Sequence, residues 1–394
     1  MRFHSYFNTA VKIIELYDGT IPLMHFLKKY FSENKKHGSK DRKLITHACY
    51  NFYRPGFALK SITIEERLKV AIFLCNANTN GWKILYDDDW IERWSEEVRK
   101  RIYFIQSMYS FSVDDIFPFD DEVSVGINKE DFNLSHLIQP NVFLRIRNAQ
   151  HEKIFNLLYH HHITFEKIND DCIAVTNSTA IDRLLEIDKD VVIQDYSSQR
   201  INEFLNLIKS ETKNQTSEIK VWDCCAGSGG KSILAYDSLE NIQLTVSDVR
   251  SSIIHNLNNR FKRAGIKNYN AFVADVSNTE SEIRNLKFNL IICDAPCTGS
   301  GTWSRTPEQL YFFQSQKIKE YQILQKRIVA NAIKYLEPQG YFLYITCSVF
   351  KAENEDVVEF IQNTFQLTLI KSELLKGYDK KADTMFAALF RKIV

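Results

Sequence analysis

The sequence predicts an α/β protein whose carboxyl-terminal part is a doubly wound, Rossmann-like domain. Three observations carry that expectation. After about residue 217, short apolar strand patterns alternate regularly with helical patterns. Several of those strands stop at an aspartate or a cysteine followed by glycine- or proline-containing turns, the place where open α/β sheets bind ligands. The first hundred or so residues carry helical periodicity alone, so an all-α domain comes first and a small α/β module lies between the two.

In the helical part, apolar positions recur at Phe7, Val11, Ile14 and Leu16, then over 21–31, 44–53, 64–74 and 98–108. Gly38-Ser39-Lys40-Asp41-Arg42 reads as a helix entry with Ser39 as the cap, and Arg54-Pro55-Gly56 as the end of that helix. Residues 111–133 are acidic and weakly periodic and read as a linker, which closes a first domain over 1–133.

A small module follows over 134–216, with β-type runs at 142–147 and 172–175. Arg145 and Arg147 alternate with apolar residues and so share one strand face, which either meets phosphates or is simply exposed. The third domain, 217–394, has strands near 219–224, 243–248, 269–275, 288–294 and 340–347, and helices near 230–238, 250–264, 316–336 and 353–364. Two further strands, 365–371 and 384–391, suggest an antiparallel ending. No internal repeat or low-complexity tract is present.

Composition narrows the class. A chain of 394 residues, 44% hydrophobic and 25% charged, has the make-up of a soluble globular protein. No stretch approaches the roughly 18 apolar residues of a membrane span, and the start lacks a signal-peptide pattern, so a cytoplasmic location without membrane partners is expected. Eight cysteines are too sparse for a disulfide scaffold, and Cys49, Cys75, Cys172 and Cys293 read as core filler. No metal is expected: Cys-x-x-Cys is absent, His160-His161-His162 reads as a solvated patch, and Ser300 stands where a zinc deaminase would need a thiol. Net charge is +1, yet residues 1–60 hold eleven Lys and Arg against four Asp and Glu. Such a face suits either plain solvation or nucleic acid.

The turn Ala226-Gly227-Ser228-Gly229-Gly230, after Asp223, lets a ligand lie against backbone N–H groups at a helix start. Position 225 is Cys where a Walker loop needs Gly, and Ser232 fits a dinucleotide fingerprint poorly. S-adenosylmethionine fits better, having no phosphate but a ribose diol, an adenine amine and a sulfonium for acidic groups to hold. Asp248 ends the second strand, Asp275 the third and Asp294 the fourth, although each could also cap the next helix.

Cys297 and Cys347 end neighbouring strands and should converge near the cofactor methyl. Two thiols suit cytosine C5 chemistry, in which a thiolate adds to C6 and activates C5. A free thiol is only a few per cent ionised at neutral pH, so Lys231 or the cofactor charge would help to form that thiolate.

The segments Asp223-Cys224-Cys225-Ala226-Gly227-Ser228-Gly229-Gly230-Lys231-Ser232, Asp294-Ala295-Pro296-Cys297-Thr298-Gly299-Ser300-Gly301 and Thr346-Cys347-Ser348-Val349 resemble the NOP/Sun (RsmB-like) RNA cytosine-5 methyltransferases. The resemblance extends to Gln194-Asp195-Tyr196-Ser197-Ser198-Gln199, Arg305-Thr306-Pro307-Glu308 and Glu353-Asn354-Glu355. It implies a class I methyltransferase domain with Cys347 as nucleophile on C6, Cys297 assisting release of the methylated base, Asp294 at the polar edge of the cytosine, and Lys231 among the catalytic groups. Cofactor contacts are implied for Asp223, Cys225, Ala226, Gly227, Ser228, Gly229, Gly230, Lys231, Asp248, Asp275 and Asp294. Gly227-Ser228 departs from the usual Ala-Pro, and Asp383-Thr384-Met385-Phe386 departs from Asp-Gly-Phe-Phe, the latter read as packing. The amino-terminal helices are similar to the antitermination-factor-like RNA-binding domain of the bacterial ribosomal members. A monomer acting on ribosomal RNA is therefore expected, with transfer RNA, a non-catalytic RNA-binding assembly factor and a redox or dinucleotide enzyme as the alternatives.

Overall fold

The computed structural model describes residues 2–79, 81–147, 150–212, 217–278 and 286–393. They form two compact units. One comprises the residues up to Asp121, Ile127–Gln139 and Thr302–Gln314; the other comprises Glu122–Gly126, Pro140–Gly301 and the residues from Ser315 on. The expected boundary at residue 216 falls outside the described residues.

The first unit is helical: α1 (Arg2–Leu16), α2 (Leu23–Glu33), α3 (Ser39–Tyr53), α4 (Ile64–Cys75), α5 (Asp88–Glu92), α6 (Val98–Gln106) and α7 (Lys129–His136), with a short helix at Pro307–Tyr311. At the start of α3, the backbone N–H of Gly38 donates to Asp41 Oδ2 (3.0 Å), so Gly38 is the cap and Ser39 already lies inside the helix. Thr63 and Glu66 cap α4 reciprocally, each backbone N–H meeting the other's side chain. Arg54 is buried at the end of α3. Its guanidinium donates to the carbonyls of His136, Ile138 and Ser304, each at 3.0 Å, and to Gln139 Oε1 at 2.6 Å. That cation therefore ties three parts of the unit together and is not available to phosphates. The stretch read as a linker is built into the fold. Ile116 and Phe117 are fully buried, Asn133 Oδ1 accepts from the Phe117 N–H, and Asn128 caps α7.

The second unit holds two sheets. The smaller has the order β2-β3-β1-β4, all antiparallel, from β1 (Val142–Ile146), β2 (Glu166–Lys167), β3 (Cys172–Val175) and β4 (Val191–Ile193). Helix α8 (His151–His160) follows β1, and its end carries the exposed histidines 160–162. After it come α9 (Tyr196–Gln199) and α10 (Asn202–Thr212).

The larger sheet is built from β5 (Ile219–Asp223), α11 (Gly230–Ser238), β6 (Ile242–Asp248), α12 (Ser251–Ala264), β7 (Tyr269–Val273), β8 (Phe288–Asp294), α13 (Gln316–Ala332), β9 (Leu336–Thr346), α14 (Glu355–Thr364), β10 (Leu367–Leu375) and β11 (Met385–Lys392). Strand order is β10-β11-β9-β8-β5-β6-β7, parallel from β9 to β7 and antiparallel at β10 and β11. Apolar clusters cover both faces, one including Val221, Phe261 and Leu343, the other Trp222, Ile291 and Phe342. Burial on both sides is why these strands read as apolar runs rather than alternating ones. No helix among the described residues is long and apolar enough to cross a membrane.

Arg145 and Arg147 correct one expectation. Neither is on an exposed face: both are buried and pair with Asp237 on α11, at 2.7 and 2.6 Å. Nearby, Asp188 holds Arg260 and Arg263 of α12, both at 2.7 Å. Stripping the carboxylate from a buried pair leaves uncompensated cations, which costs about 3–5 kcal/mol. Asp237→Ala should therefore lower the thermal midpoint strongly in a melting experiment, whereas alanine at the exposed Asp170 should barely move it.

Candidate active site

The parallel pairing of β8 with β9 sets Asp294 opposite Ile345, and the Ala295 N–H continues the ladder to the Ile345 carbonyl (2.9 Å). Both chains then leave the sheet side by side. Cys297 and Cys347 consequently lie with their sulfurs 3.2 Å apart, half-buried. The Cys347 sulfur, and then burial, push the Cys297 thiol up.

Beneath the sulfurs lies a buried polar knot that sequence reasoning missed. Glu353 accepts from the Thr298 backbone N–H (2.9 Å), Thr298 Oγ1 (2.6 Å), Gln325 Nε2 (3.0 Å) and Ser348 Oγ. One carboxyl thus binds the residue after each cysteine. Burial raises its pKa, while the Ser348, Thr298 and Gln325 bonds oppose the rise. The segment Glu353-Asn354-Glu355 was visible as a motif, but the partners that give Glu353 its role lie on three other segments. Gly301 adds a second constraint. Its N–H donates to the Cys347 carbonyl (2.9 Å), and a Cβ there would stand 1.9 Å from the Thr384 carbonyl oxygen.

Around the glycine turn, Ala226 N–H donates to the Ser247 carbonyl and Gly227 N–H to Asp248 Oδ2 (3.1 Å). Gly229 has φ +83°, and a Cβ on it would meet Phe261 at 2.7 Å, so glycine is required there. Arg260 donates to both oxygens of Ser228. At Gly227 and Gly230 a Cβ would meet nothing within 4 Å, so the turn borders open space in which a ligand can approach the backbone.

Asp223 is fully buried, with Oδ2 accepting from Ser232 Oγ (2.6 Å) and Oδ1 lacking a partner among the described residues. Burial pushes its carboxyl up to about 7 despite the Ser232 bond, and Asp294 adds to the rise. Lys231 donates to Ser198 Oγ (2.8 Å) and Asp294 Oδ2 (3.2 Å), and neither bond reaches a sulfur. Ser198 is a second residue missed from the sequence as an individual contact.

Burial alone would raise Asp248, but bonds from the Arg250 side chain and backbone and from Gly227 hold its carboxyl below the usual range. Arg250 therefore rests on the acid expected to hold a ribose, with its own side chain mostly exposed and able to swing away. Asp275 lies two residues beyond β7. Exposed, it accepts from Ser277 N, Ser277 Oγ and Asn278 Nδ2, the local turn-capping arrangement. The open turn, the rim carboxylate of Asp248 and the exposed apolar Val249 suit a nucleoside without phosphates, so these residues fit S-adenosylmethionine.

Cys224, Cys225 and Cys293 also come together, their sulfurs all within 4.8 Å of one another. Cys293 arrives on β8, while Cys224 and Cys225 lie in the turn that follows β5, so no sequence spacing could have announced the cluster.

A doubly wound sheet with acidic strand ends around a glycine turn defines a Rossmann-like methyltransferase fold. The crystal structure of PH0851 superposes with a TM-score of 0.71 at 18% identity, covering 98% of each chain. The structure of NSun6 from Pyrococcus horikoshii with SFG gives 0.55 at 14% identity, covering 65% of this chain and 91% of that one. Residues 209–389 match the family described as 16S rRNA methyltransferase RsmB/F. Over that segment the chain is similar to the RsmB/F methyltransferases. The "Ribosomal RNA small subunit methyltransferase B" of Xanthomonas campestris pv. campestris is 30% identical over 44% of this chain and 39% of its own. The "Probable ribosomal RNA small subunit methyltransferase B" of Bacillus subtilis is 27% identical over 58% of this chain and 50% of its own. The chain thus spans half or less of the length of these curated relatives.

Two outcomes are expected. Glu353→Ala would orphan several buried donors, at about 1–3 kcal/mol each, and let the two cysteine loops separate; a lowered melting midpoint together with slower Cys297–Cys347 crosslinking by a short bis-electrophile would show it. Because the folded state favours protonated Asp223, its stabilising contribution is present below its ordinary value of 3.8 and is lost as pH rises towards about 7. Paired melts of the wild type and Asp223→Asn across that window should show the wild type alone losing this increment.

Proposed function

We propose that the protein is an S-adenosylmethionine-dependent RNA (cytosine-5-)-methyltransferase acting on small-subunit ribosomal RNA. The observation that carries this reading is the meeting of two sulfurs, 3.2 Å apart, from adjacent strand ends whose neighbour Asp294 is bound by Lys231. The names of the curated relatives supply the small-subunit ribosomal RNA.

In this reading Cys347 adds through Sγ to C6 of the cytosine, which turns C5 into an enamine-like nucleophile. The raised pKa of Cys297, which keeps it a protonated thiol suited to the assisting role, supports that assignment. Asp294, oriented by Lys231, accepts from the exocyclic amine of the base. Cys297 assists the closing elimination, in which C5 loses its proton and the C6–S bond breaks. S-adenosylmethionine, when bound, supplies an electrophilic methyl group on its sulfonium. The turn 225–231 would hold it, with Asp248 at the ribose and Asp275 and Asp294 as further contacts. Asp223 would act indirectly, by anchoring the first turn of α11 through Ser232. Exposed lysines of the helical unit, such as Lys12, Lys28, Lys35 and Lys40, would contact RNA phosphates and weaken binding as salt rises.

Cys347→Ala should abolish methyl transfer to ribosomal RNA, and Cys297→Ala should accumulate a protein–RNA adduct that survives denaturation. Bisulfite sequencing of RNA from cells lacking the protein should reveal one unprotected cytosine in small-subunit ribosomal RNA. A lost signal in transfer RNA would reassign the substrate, and unchanged transfer by the Cys347 variant would overturn the mechanism.

A further inference from the structure

We propose that Cys224, Cys225 and Cys293 form a binding site for a thiophilic divalent cation of the zinc class, placed at the entrance to the glycine turn. The site is separate from the Cys297–Cys347 pair, and the proposed reaction makes no use of Cys224 or Cys293.

The geometry favours it first. The three sulfurs lie within 4.8 Å of one another. A tetrahedral zinc ion with bonds of about 2.3 Å needs its sulfur ligands about 3.8 Å apart, so only small side-chain adjustments are required. Two of the ligands are pre-placed by the sheet. Register sets Asp223 opposite Ile292, and the Cys224 N–H donates to the Ile292 carbonyl (2.9 Å), which fixes Cys224 beside Cys293. Both lie on the sheet face that carries Trp222, Ile291 and Phe342. No rotation of either backbone is needed to bring the thiols together. The third, Cys225, is only half-buried and leaves the fourth corner of the tetrahedron to a water molecule.

The chemistry of the donor set points the same way. Three soft sulfurs with no histidine or carboxylate among them select a soft or borderline cation over magnesium or calcium. On binding, three S–H bonds break, three metal–sulfur bonds form and three protons pass to solvent, with no change of oxidation state. Ordinary core packing accounts for any one of these cysteines. It gives no reason for three of them to converge at the mouth of a ligand-binding turn.

Position supplies a purpose. Cys225 is the first residue of the turn whose next two N–H groups are held by Ser247 and Asp248. An ion that clamps Cys225 to Cys293 of β8 and to Cys224, itself bonded to β8, fixes that entrance and stabilises the folded chain in proportion to its occupancy.

The test uses the full chain, stripped with a chelator and titrated with cobalt(II) alone, then with zinc(II). One equivalent of cobalt should produce thiolate-to-metal charge transfer and the intense visible bands of a tetrahedral site, and zinc should erase them. The bands should persist in the Cys297→Ser, Cys347→Ser double variant and vanish in Cys293→Ala. Independently of any variant, zinc should shield the half-buried Cys225 of the wild type from alkylation, read by peptide mass spectrometry, while Cys297 and Cys347 continue to react. Absence of the bands, their loss in the double variant alone, or equal alkylation of Cys225 with and without zinc would each overturn the proposal.

Discussion

The hydrogen-bonded pairing of β8 with β9 is the constraint on which the candidate site depends. Residues about fifty apart in sequence are brought to one point because two parallel strands end in register and their chains leave in the same direction. The pairing is itself secured by burial on both faces, with Ile291, Cys293, Phe342 and Tyr344 to one side and Leu290, Ile292, Leu343 and Ile345 to the other. A slip of one residue would exchange those faces, so the apolar pattern that builds the core also sets the spacing of the two sulfurs.

Polar groups then refine what the sheet places coarsely. Glu353 gathers donors from both cysteine-bearing loops, and the Tyr344 hydroxyl in turn donates to the Glu353 carbonyl (2.6 Å). Asn354 reaches the Ser348 carbonyl and accepts from Thr346. Such a knot in a low-dielectric interior is rigid, because breaking one member leaves others unsatisfied. At the end of β6, Arg250 and Asp248 form a looser arrangement with one partner exposed to water. The thiol side is thus preorganised and the Asp248 side adaptable.

Much of this was legible in the sequence, for physical reasons. Alternation of apolar runs with amphipathic stretches marks the strands and helices of the larger sheet, and Asp223, Asp248 and Asp294 stand at strand ends as read. Local turn chemistry was less reliable: Gly38 rather than Ser39 caps α3, and Asp275 is engaged by its own turn. What failed depended on partners distant in sequence. Arg145 and Arg147 looked surface-exposed because nothing in their neighbourhood announces Asp237, some ninety residues away. Residues 111–133 looked like a linker because their polar composition conceals Ile116 and Phe117, whose burial depends on tertiary neighbours. Cys293, read as core filler, is indeed fully buried in the apolar cluster with Trp222 and Phe342.

One consequence follows from where Asp237 sits. It occupies the last turn of α11, and the first turn of that helix carries Gly230 and Lys231. A helix of nine residues is about 13 Å long and stiff on that scale. The small sheet, gripping one end through two arginines, therefore works as a handle on a short rod whose far tip is the glycine turn. A displacement of β1 would therefore be carried along that rod to Gly230 and Lys231.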